Sequence, residues 1–489
     1  MPSPRLAETV TIHGHNRPHR IALHFNDQAV TYGQLSDLTE SLRSQLLQLG
    51  LPPGSTVYVP AHKTPQTIAL LLAIFHEGHI ALAPSPDLGS AALERLAQQA
   101  RVSHLLTVSG DGILAATSAP TQEDEAQGFA VPDPGRTRLL LTTSGSTGTP
   151  KIVSIEAAWF DAFSDWAVDD FALSPGETAL SYAPLNFDLA LLDVWTFLQL
   201  GACVVLVDQQ RATDAAYLAA LATRHQVTFV QGVPMLYRLL LENGAAFAAA
   251  RHVIFTGDSL PAGLLTHTAS AFPNAAFHNV FGCTETNDSF IHHVDPAAGD
   301  GPMPIGRPIR GSEALVLDAE GRRVTSAGTG ELLVSTPFQT SGYLRRDLNS
   351  AAFMHLDGRV FYRTGDIVTR TAEGLYFLEG RADWHVKVRG VRTNLQEVEN
   401  VLAAHPDVAE AVVVPLPDPQ AGVLLHAHVT RRPDTGLTSL RLRTHAGRHL
   451  PRPAIPASVH LTDAPLPRTS TGKPDRNLIK RNRMKEIDA

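Results

Sequence analysis

A short run of hydroxyls and glycines, closed by a lysine, has the residue types needed to hold a polyphosphate. Residues 139–153 read Leu-Leu-Leu-Thr-Thr-Ser-Gly-Ser-Thr-Gly-Thr-Pro-Lys-Ile-Val. Leu139, Leu140 and Leu141 are expected to form a buried strand that breaks into a loop ended by Pro150 and Lys151. Gly145 and Gly148 permit close backbone approach and positive φ, so successive N–H groups can wrap an oxyanion. Thr142, Thr143, Ser144, Ser146, Thr147 and Thr149 add hydroxyl donors, and Lys151 adds a cation. The spacing is not G-x-x-x-x-G-K-[ST], in which the lysine directly follows the second glycine. Here Thr149 and Pro150 intervene, and Ile152 follows the lysine. An ordinary Ser/Thr/Gly-rich surface loop is the competing reading.

The ten-residue string Thr142–Lys151 resembles the phosphate loop of the adenylate-forming superfamily: acyl-CoA synthetases, luciferases and nonribosomal-peptide adenylation domains. Five further segments match that superfamily in order and together span nearly the whole chain. Val280-Phe-Gly-Cys-Thr-Glu-Thr286 resembles its strand-to-helix corner. The resemblance implies that Glu285 holds Mg²⁺ against the ATP phosphates, a task suited to a hard carboxylate. It also implies that Thr284 donates to the forming acyl phosphate and that Phe281 stacks on adenine. A capped helix start at Thr284 is the structural alternative.

Tyr362-Arg-Thr-Gly-Asp366 resembles the ribose-binding turn, where Asp366 would accept hydrogen bonds from both ribose hydroxyls. Gly380-Arg-Ala-Asp383 resembles the hinge, with Asp383 as pivot and Arg381 reaching the nucleotide. Gly330-Glu-Leu332 with Gly342-Tyr-Leu344 matches a structural motif to which no chemistry is assigned. Pro467-Arg-Thr-Ser-Thr-Gly-Lys473-Pro-Asp-Arg476 places Lys473 at the catalytic lysine. There it would bridge the substrate carboxylate and the α-phosphate, an effect of about 3 kcal/mol or more. A solvated tail lysine is the alternative. Non-catalytic relatives are expected to lose Lys151, Glu285, Asp366 or Lys473, and all four are present.

Ala183-Pro-Leu-Asn-Phe-Asp-Leu-Ala-Leu-Leu-Asp-Val-Trp195 bears on the substrate. In amino-acid-activating members the aspartate of the matching Phe-Asp pair binds the substrate ammonium, so Asp188 implies an amino acid. A buried carboxylate needs a cation, and an ammonium supplies one. The competing reading is that Asp188 caps a following helix. Alignment with the family lines the pocket with Leu189, Leu192, Gln231, Ile254, Thr256, Val280, Asp288 and Ser289. Gln231 and Asp288 are unusual in a purely aliphatic pocket; Asp288 suits a second cation or a side-chain hydroxyl, and the competing reading is that it points away.

The elements that must carry these residues follow the hydrophobic pattern. Helical spacing covers 32–49, 67–78, 214–225 and 235–242, with strand patterns at 57–61, 80–84, 201–208, 227–230 and 252–255. Alternation of this kind predicts mostly parallel sheets covered by helices. Strands at 314–318, 330–335 and 375–379 suggest a β-rich subdomain. Residues 109–137 read as a connector. The sharpest boundary lies at Gly380–Asp383; a helix at 395–405 and strands at 409–414 and 424–429 follow it. The expected fold is α/β: a large core at 1–382 and a small, mobile α+β lid at 383–489 hinged at Asp383.

Bulk properties exclude other classes. At 489 residues the chain exceeds one ordinary core. Its net charge of −8 argues against general nucleic-acid binding. No apolar stretch of about 18 residues suggests a membrane span. Two cysteines form no disulfide framework, so a reducing cytoplasm is expected. The His13–His15 and His292–His293 pairs read as surface or packing residues. From Asp383 onward 16 Lys/Arg face 11 Asp/Glu, giving +5 there and −13 in the first 382 residues. The resemblance implies ATP-dependent formation of an aminoacyl-AMP from a small or polar α- or β-amino acid. With no carrier domain after Lys473, transfer to the phosphopantetheine thiol of a separate carrier protein is expected, steered by the basic small domain. A CoA ligase for a small acid is the alternative, and a non-catalytic nucleotide-binding relative is the reading from another class.

Overall fold

The computed structural model describes residues 5–86, 88, 90–119, 128–143, 151–258, 260, 263–298, 302–388, 391–418, 422–433, 435–450, 452–469 and 473–488. The chain divides into two compact units. The first comprises Met1–Gly328, Leu332–Thr364 and Arg370–Phe377; the second comprises Thr329–Glu331, Gly365–Thr369 and Leu378–Ala489.

Two large sheets organise the first unit. Strands β1 (Ile21–Phe25) and β2 (Gln28–Thr31) form a hairpin. The chain then builds β3 (Thr56–Tyr58), β4 (Ile80–Leu82), β5 (Val102–Val108), β6 (Leu114–Ser118), β7 (Thr137–Thr143) and β8 (Lys151–Glu156). These six form one sheet in the order β6-β5-β3-β4-β7-β8, parallel at its centre and antiparallel at both edges. The next seven are β9 (Thr178–Ser181), β10 (Cys203–Leu206), β11 (Phe229–Gly232), β12 (His252–Thr256), β13 (Ala276–Cys283), β14 (Asn287–Val294) and β15 (Arg307–Pro308). With the first hairpin they make a nine-stranded sheet, β15-β14-β13-β12-β11-β9-β10-β1-β2, parallel from β13 to β1.

The helix Pro65–His76 shows why the core closes. Ile68 to Phe75 are all apolar and all buried, so this helix has no solvent face. Thr64 caps it by accepting from the Thr67 N–H, and Pro65 sits at its first position, where no N–H is needed. One continuous core joins this helix to inward residues of both sheets, including Leu23, Val57, Leu139 and Ile254.

The second unit contains the hairpin His385–Val388/Val391–Asn394, helix Leu395–Ala403 and a three-stranded sheet of Val408–Asp418, Gly422–Arg431 and Ser458–Thr462. Helices Ser439–His449 and Arg476–Asp488 accompany it. Its core is small: Val398, Leu402, Val413, Ala427, Val429 and Leu442 are among its fully buried members.

The α/β class expected from the alternating pattern is the class observed, and two local expectations are corrected. The 280–286 segment is not a strand-to-helix corner. It joins antiparallel β13 and β14, and Thr284 caps no helix. A Cβ on Gly282 would lie 2.1 Å from the Asn287 carbonyl oxygen, and Asn287 takes φ +50°. The chain therefore reverses here through a bulged hairpin. The 109–137 connector is also not all loop, since β6 lies within it.

Candidate active site

The site in the first unit is built on two hairpins. At the end of β7, Thr143 pairs across the sheet with Lys151 at the start of β8, so the ends of the glycine-rich loop are held together. Thr142 belongs to the same strand. The intervening Ser144, Gly145, Ser146, Thr147 and Gly148 lie outside the described residues. The Lys151 ammonium stands over the Tyr343 ring, 4.7 Å from its centroid, and its Nζ is 3.5 Å from the Tyr343 hydroxyl.

The β13–β14 turn sends two side chains to two partners. The Thr286 N–H bonds the Cys283 carbonyl, which leaves Thr284 and Glu285 at the tip. Thr284 Oγ1 donates to Asp188 Oδ2 at 2.7 Å. Glu285 is 6% exposed, and its Oε1 accepts from the Tyr343 hydroxyl at 2.5 Å. The Tyr362 hydroxyl is 3.1 Å from that of Tyr343. Burial and the Glu285 charge hold both phenols far above their ordinary pKa, so both stay protonated and able to donate. A cation, a phenol and a carboxylate thus lie in line. The second Glu285 oxygen suits a hard cation that keeps its waters and binds one carboxylate together with substrate phosphates. No cluster of three or more metal-ligating side chains exists among the described residues.

Four of the expected pocket residues, Gln231, Ile254, Thr256 and Val280, share one sheet face where the parallel register sets them side by side. Gln231 pairs with Ile254, and Thr256 pairs with Val280. Ile254 and Val280 pack in the same core cluster as the buried Leu192. Gln231 Nε2 is 3.4 Å from the Leu189 carbonyl, while its Oε1 is buried without a partner among the described residues. Asp288 lies opposite Gly282 on β14. Its carboxyl is pushed up to about 7, first by burial and then by the negative charge of Asp188. Ser289, on the other face of the strand, has its hydroxyl engaged by Thr286 and the Asn287 carbonyl. Asp188 caps no helix with its side chain: the following turn is a π-helix, Leu191–Thr196, whose cap position is Ala190. Phe281 meets Phe290 edge to face, with centroids 5.9 Å apart.

In the second unit, Asp366 and Arg381 pair at 3.2 Å. Asp366 is 7% exposed. Gly365 takes φ +72°, a conformation strained for any residue with a Cβ, and its Cα lies close under the Arg381 guanidinium. Asp383 lies in a single 3₁₀ turn, Ala382–Trp384. Lys473 is exposed on a tight return of the chain. Its carbonyl accepts from the Thr469 N–H at 2.8 Å, and Arg468 and Pro474 form a bridge. Arg468 binds Glu410 at 3.0 Å on one side. On the other, Arg476 binds the buried Glu399 and lies over the Trp384 ring at 4.5 Å.

Tyr343 and Tyr362 are the site residues that the sequence motifs did not single out. Both lie inside motifs that sequence reasoning quoted, but their chemistry comes from Glu285, 58 positions away from Tyr343.

Comparison with known proteins finds relatives over nearly the whole chain. The profile of the AMP-binding enzyme family matches residues 10–344, and that of the AMP-binding enzyme C-terminal domain matches residues 397–473. An L-proline–[L-prolyl-carrier protein] ligase of Pseudomonas fluorescens is 29% identical over 95% of this chain and 96% of its own. The ligase of the same description from Streptomyces coelicolor is 31% identical over 91% of each chain. Among solved structures, ATP-bound MatB from Rhodopseudomonas palustris superposes over 100% of both chains, with a TM-score of 0.83 at 22% identity.

Proposed function

Because the chain belongs to the AMP-binding enzyme family, and is thus an adenylate-forming ligase that uses ATP, we propose that its acid is an amino acid. The final acceptor is then the phosphopantetheine thiol of a carrier protein. The single observation behind the amino-acid reading is the 2.7 Å hydrogen bond from Thr284 to Asp188. An ammonium held by Asp188 would lie beside the hydroxyl expected to meet the acyl phosphate. The carrier-ligase relatives support the same reading.

In the first step a substrate carboxylate oxygen attacks the ATP α-phosphorus. The bond to the β-phosphate oxygen breaks, giving aminoacyl-AMP and pyrophosphate. In the second, a thiolate attacks the acyl carbon and AMP leaves, forming a thioester. Neither step needs a side-chain nucleophile, so alignment and charge neutralisation do the work. Lys151 and the Thr142–Gly148 loop hold phosphate oxygens, and Asp366 takes the ribose hydroxyls. Lys473 meets the charge developing between carboxylate and α-phosphate. Glu285, aligned by Tyr343, would hold Mg²⁺, which would neutralise phosphate charge. The small domain, 383–489, closes to bring Lys473 in and turns about Asp383 to release it.

The pocket favours a small amino acid whose own side chain brings a hydrogen-bond donor. Gln231 Oε1 is buried without a hydrogen-bond partner among the described residues, and Asp288 sets a carboxyl group facing Asp188. The deciding experiment is ATP–pyrophosphate exchange across a panel of α- and β-amino acids. Asp188→Asn is expected to raise the amino-acid KM more than tenfold, and Lys473→Ala to abolish exchange. Unchanged exchange in Asp188→Asn would refute the ammonium role. Thioester formation on a holo-carrier protein, compared with CoA, identifies the thiol.

A further inference from the structure

Lys63 and Asp193 are two buried ionisable groups, coupled electrostatically and joined through Ser181, that the steps above do not use. Lys63 is 4% exposed and Asp193 is 0% exposed. They come from different sheets. Lys63 follows β3 of the six-stranded sheet, and Asp193 sits in the π-helix that follows β9 of the nine-stranded sheet. Lys63 Nζ donates to the Ser181 carbonyl at 2.5 Å and to the Ala183 carbonyl at 2.6 Å. Ser181 Oγ donates to Asp193 Oδ1 at 2.9 Å. The other carboxylate oxygen, Asp193 Oδ2, is buried without a hydrogen-bond partner among the described residues. Burial pulls the Lys63 pKa down and pushes that of Asp193 up, and each charge opposes the other's shift.

Stability alone does not explain such a pair. Exchanging a buried ion pair for packed apolar residues is often neutral or stabilising. What this pair holds is one segment, gripped at both ends. Lys63 clamps the two carbonyls where β9 gives way to the loop, and Asp193 ties the end of the loop back to Ser181. Between them the chain runs through short turns. Phe187 N–H bonds the Pro184 carbonyl at 3.1 Å, Ala190 N–H bonds that of Phe187 at 3.1 Å, and Leu191 N–H bonds that of Asp188 at 2.9 Å. Asp188 stands in the middle of this segment. The widened turn that follows, Leu191–Thr196, is of a kind frequent at functional sites.

We propose that the Lys63–Asp193 pair is a positioning device that fixes the Asp188 carboxylate before the amino acid arrives. Neither residue touches substrate. The proposal rests on the ammonium role given to Asp188 above. Small displacements of a positioned group can cost about a hundredfold in rate or affinity, so the effect should appear in one kinetic constant and not in the others.

The test compares Lys63→Met with Lys63→Arg in pyrophosphate exchange. Lys63→Met should raise the amino-acid KM at least tenfold while changing the ATP KM less than twofold, and Lys63→Arg should stay within threefold of the unsubstituted enzyme. A parallel rise in both KM values, or no rise in either, overturns the proposal. Amide hydrogen exchange on the unsubstituted protein decides the matter if Lys63→Met does not fold. Amides of 185–192 should be protected without ligand and gain little when the amino acid binds. Fast exchange that slows only with the amino acid overturns it. Absence of pyrophosphate exchange with every amino acid refutes the substrate reading instead, and the ligand-free protection then judges the device by itself.

Discussion

Replacing Asp288 with asparagine removes a carboxyl group that the folded chain holds in the wrong charge state for neutral pH. Asp288 moves from an ordinary 3.8 to about 7 because it is buried and faces the negative Asp188. Between pH 4 and 7 the folded chain therefore keeps a proton that the unfolded chain has lost. Stability must fall as pH rises through that window and level off above 7. A gap of about three pH units corresponds to a loss of about 4 kcal/mol at most. Asp288→Asn cannot titrate, so its stability should not carry this slope. The assay is urea denaturation of wild type and variant from pH 4.5 to 8.5, comparing midpoints at a common slope. The variant should gain on the wild type steadily up to pH 7 and then hold a constant lead. In Asp188→Asn the facing charge is gone, so the window should shrink toward its acid end. A wild-type-minus-Asp288→Asn difference that stays flat from pH 4.5 to 7 would refute the burial and facing-charge argument.

Two further outcomes follow from the same geometry. Tyr343→Phe strips the donor from the buried Glu285 carboxylate, a charge-assisted bond at 2.5 Å. It should lower stability by about 2 kcal/mol and raise the Mg²⁺ concentration needed for half-maximal exchange; an unchanged denaturation midpoint would count against the bond. Arg476→Ala leaves Glu399 buried beside an apolar core, and breaking a buried pair costs about 3–5 kcal/mol. Local melting of the second unit, seen as loss of amide protection in 395–403 and 408–418, is the expected result.

Local motifs were legible in the sequence wherever chain neighbours do the work. The β7–β8 hairpin follows from an apolar run broken by glycines, and Asp188 and Thr284 each sit in a readable string. What could not be read was which strings meet. Tyr343 and Glu285 are 58 residues apart, and Lys63 and Ser181 are 118 apart; sequence periodicity carries no information about such pairs. The 280–286 turn was misread for a physical reason. A threonine followed by polar residues suits a helix cap as well as a tight reversal. The deciding features were Gly282, which admits the Asn287 carbonyl, and Asn287, which tolerates positive φ. The π-helix at Leu191–Thr196 escaped because apolar residues on every side leave no stripe from which to count a period.

Lys473 has an unusual mounting. The backbone around it is pinned to Thr469, and ion pairs to Glu410 and Glu399 brace the strands of its return on either side. If Lys473 is the cation of the proposed first step and the lobe that carries it must turn to deliver it, thickening the solvent with glycerol or sucrose should slow turnover more than it weakens binding.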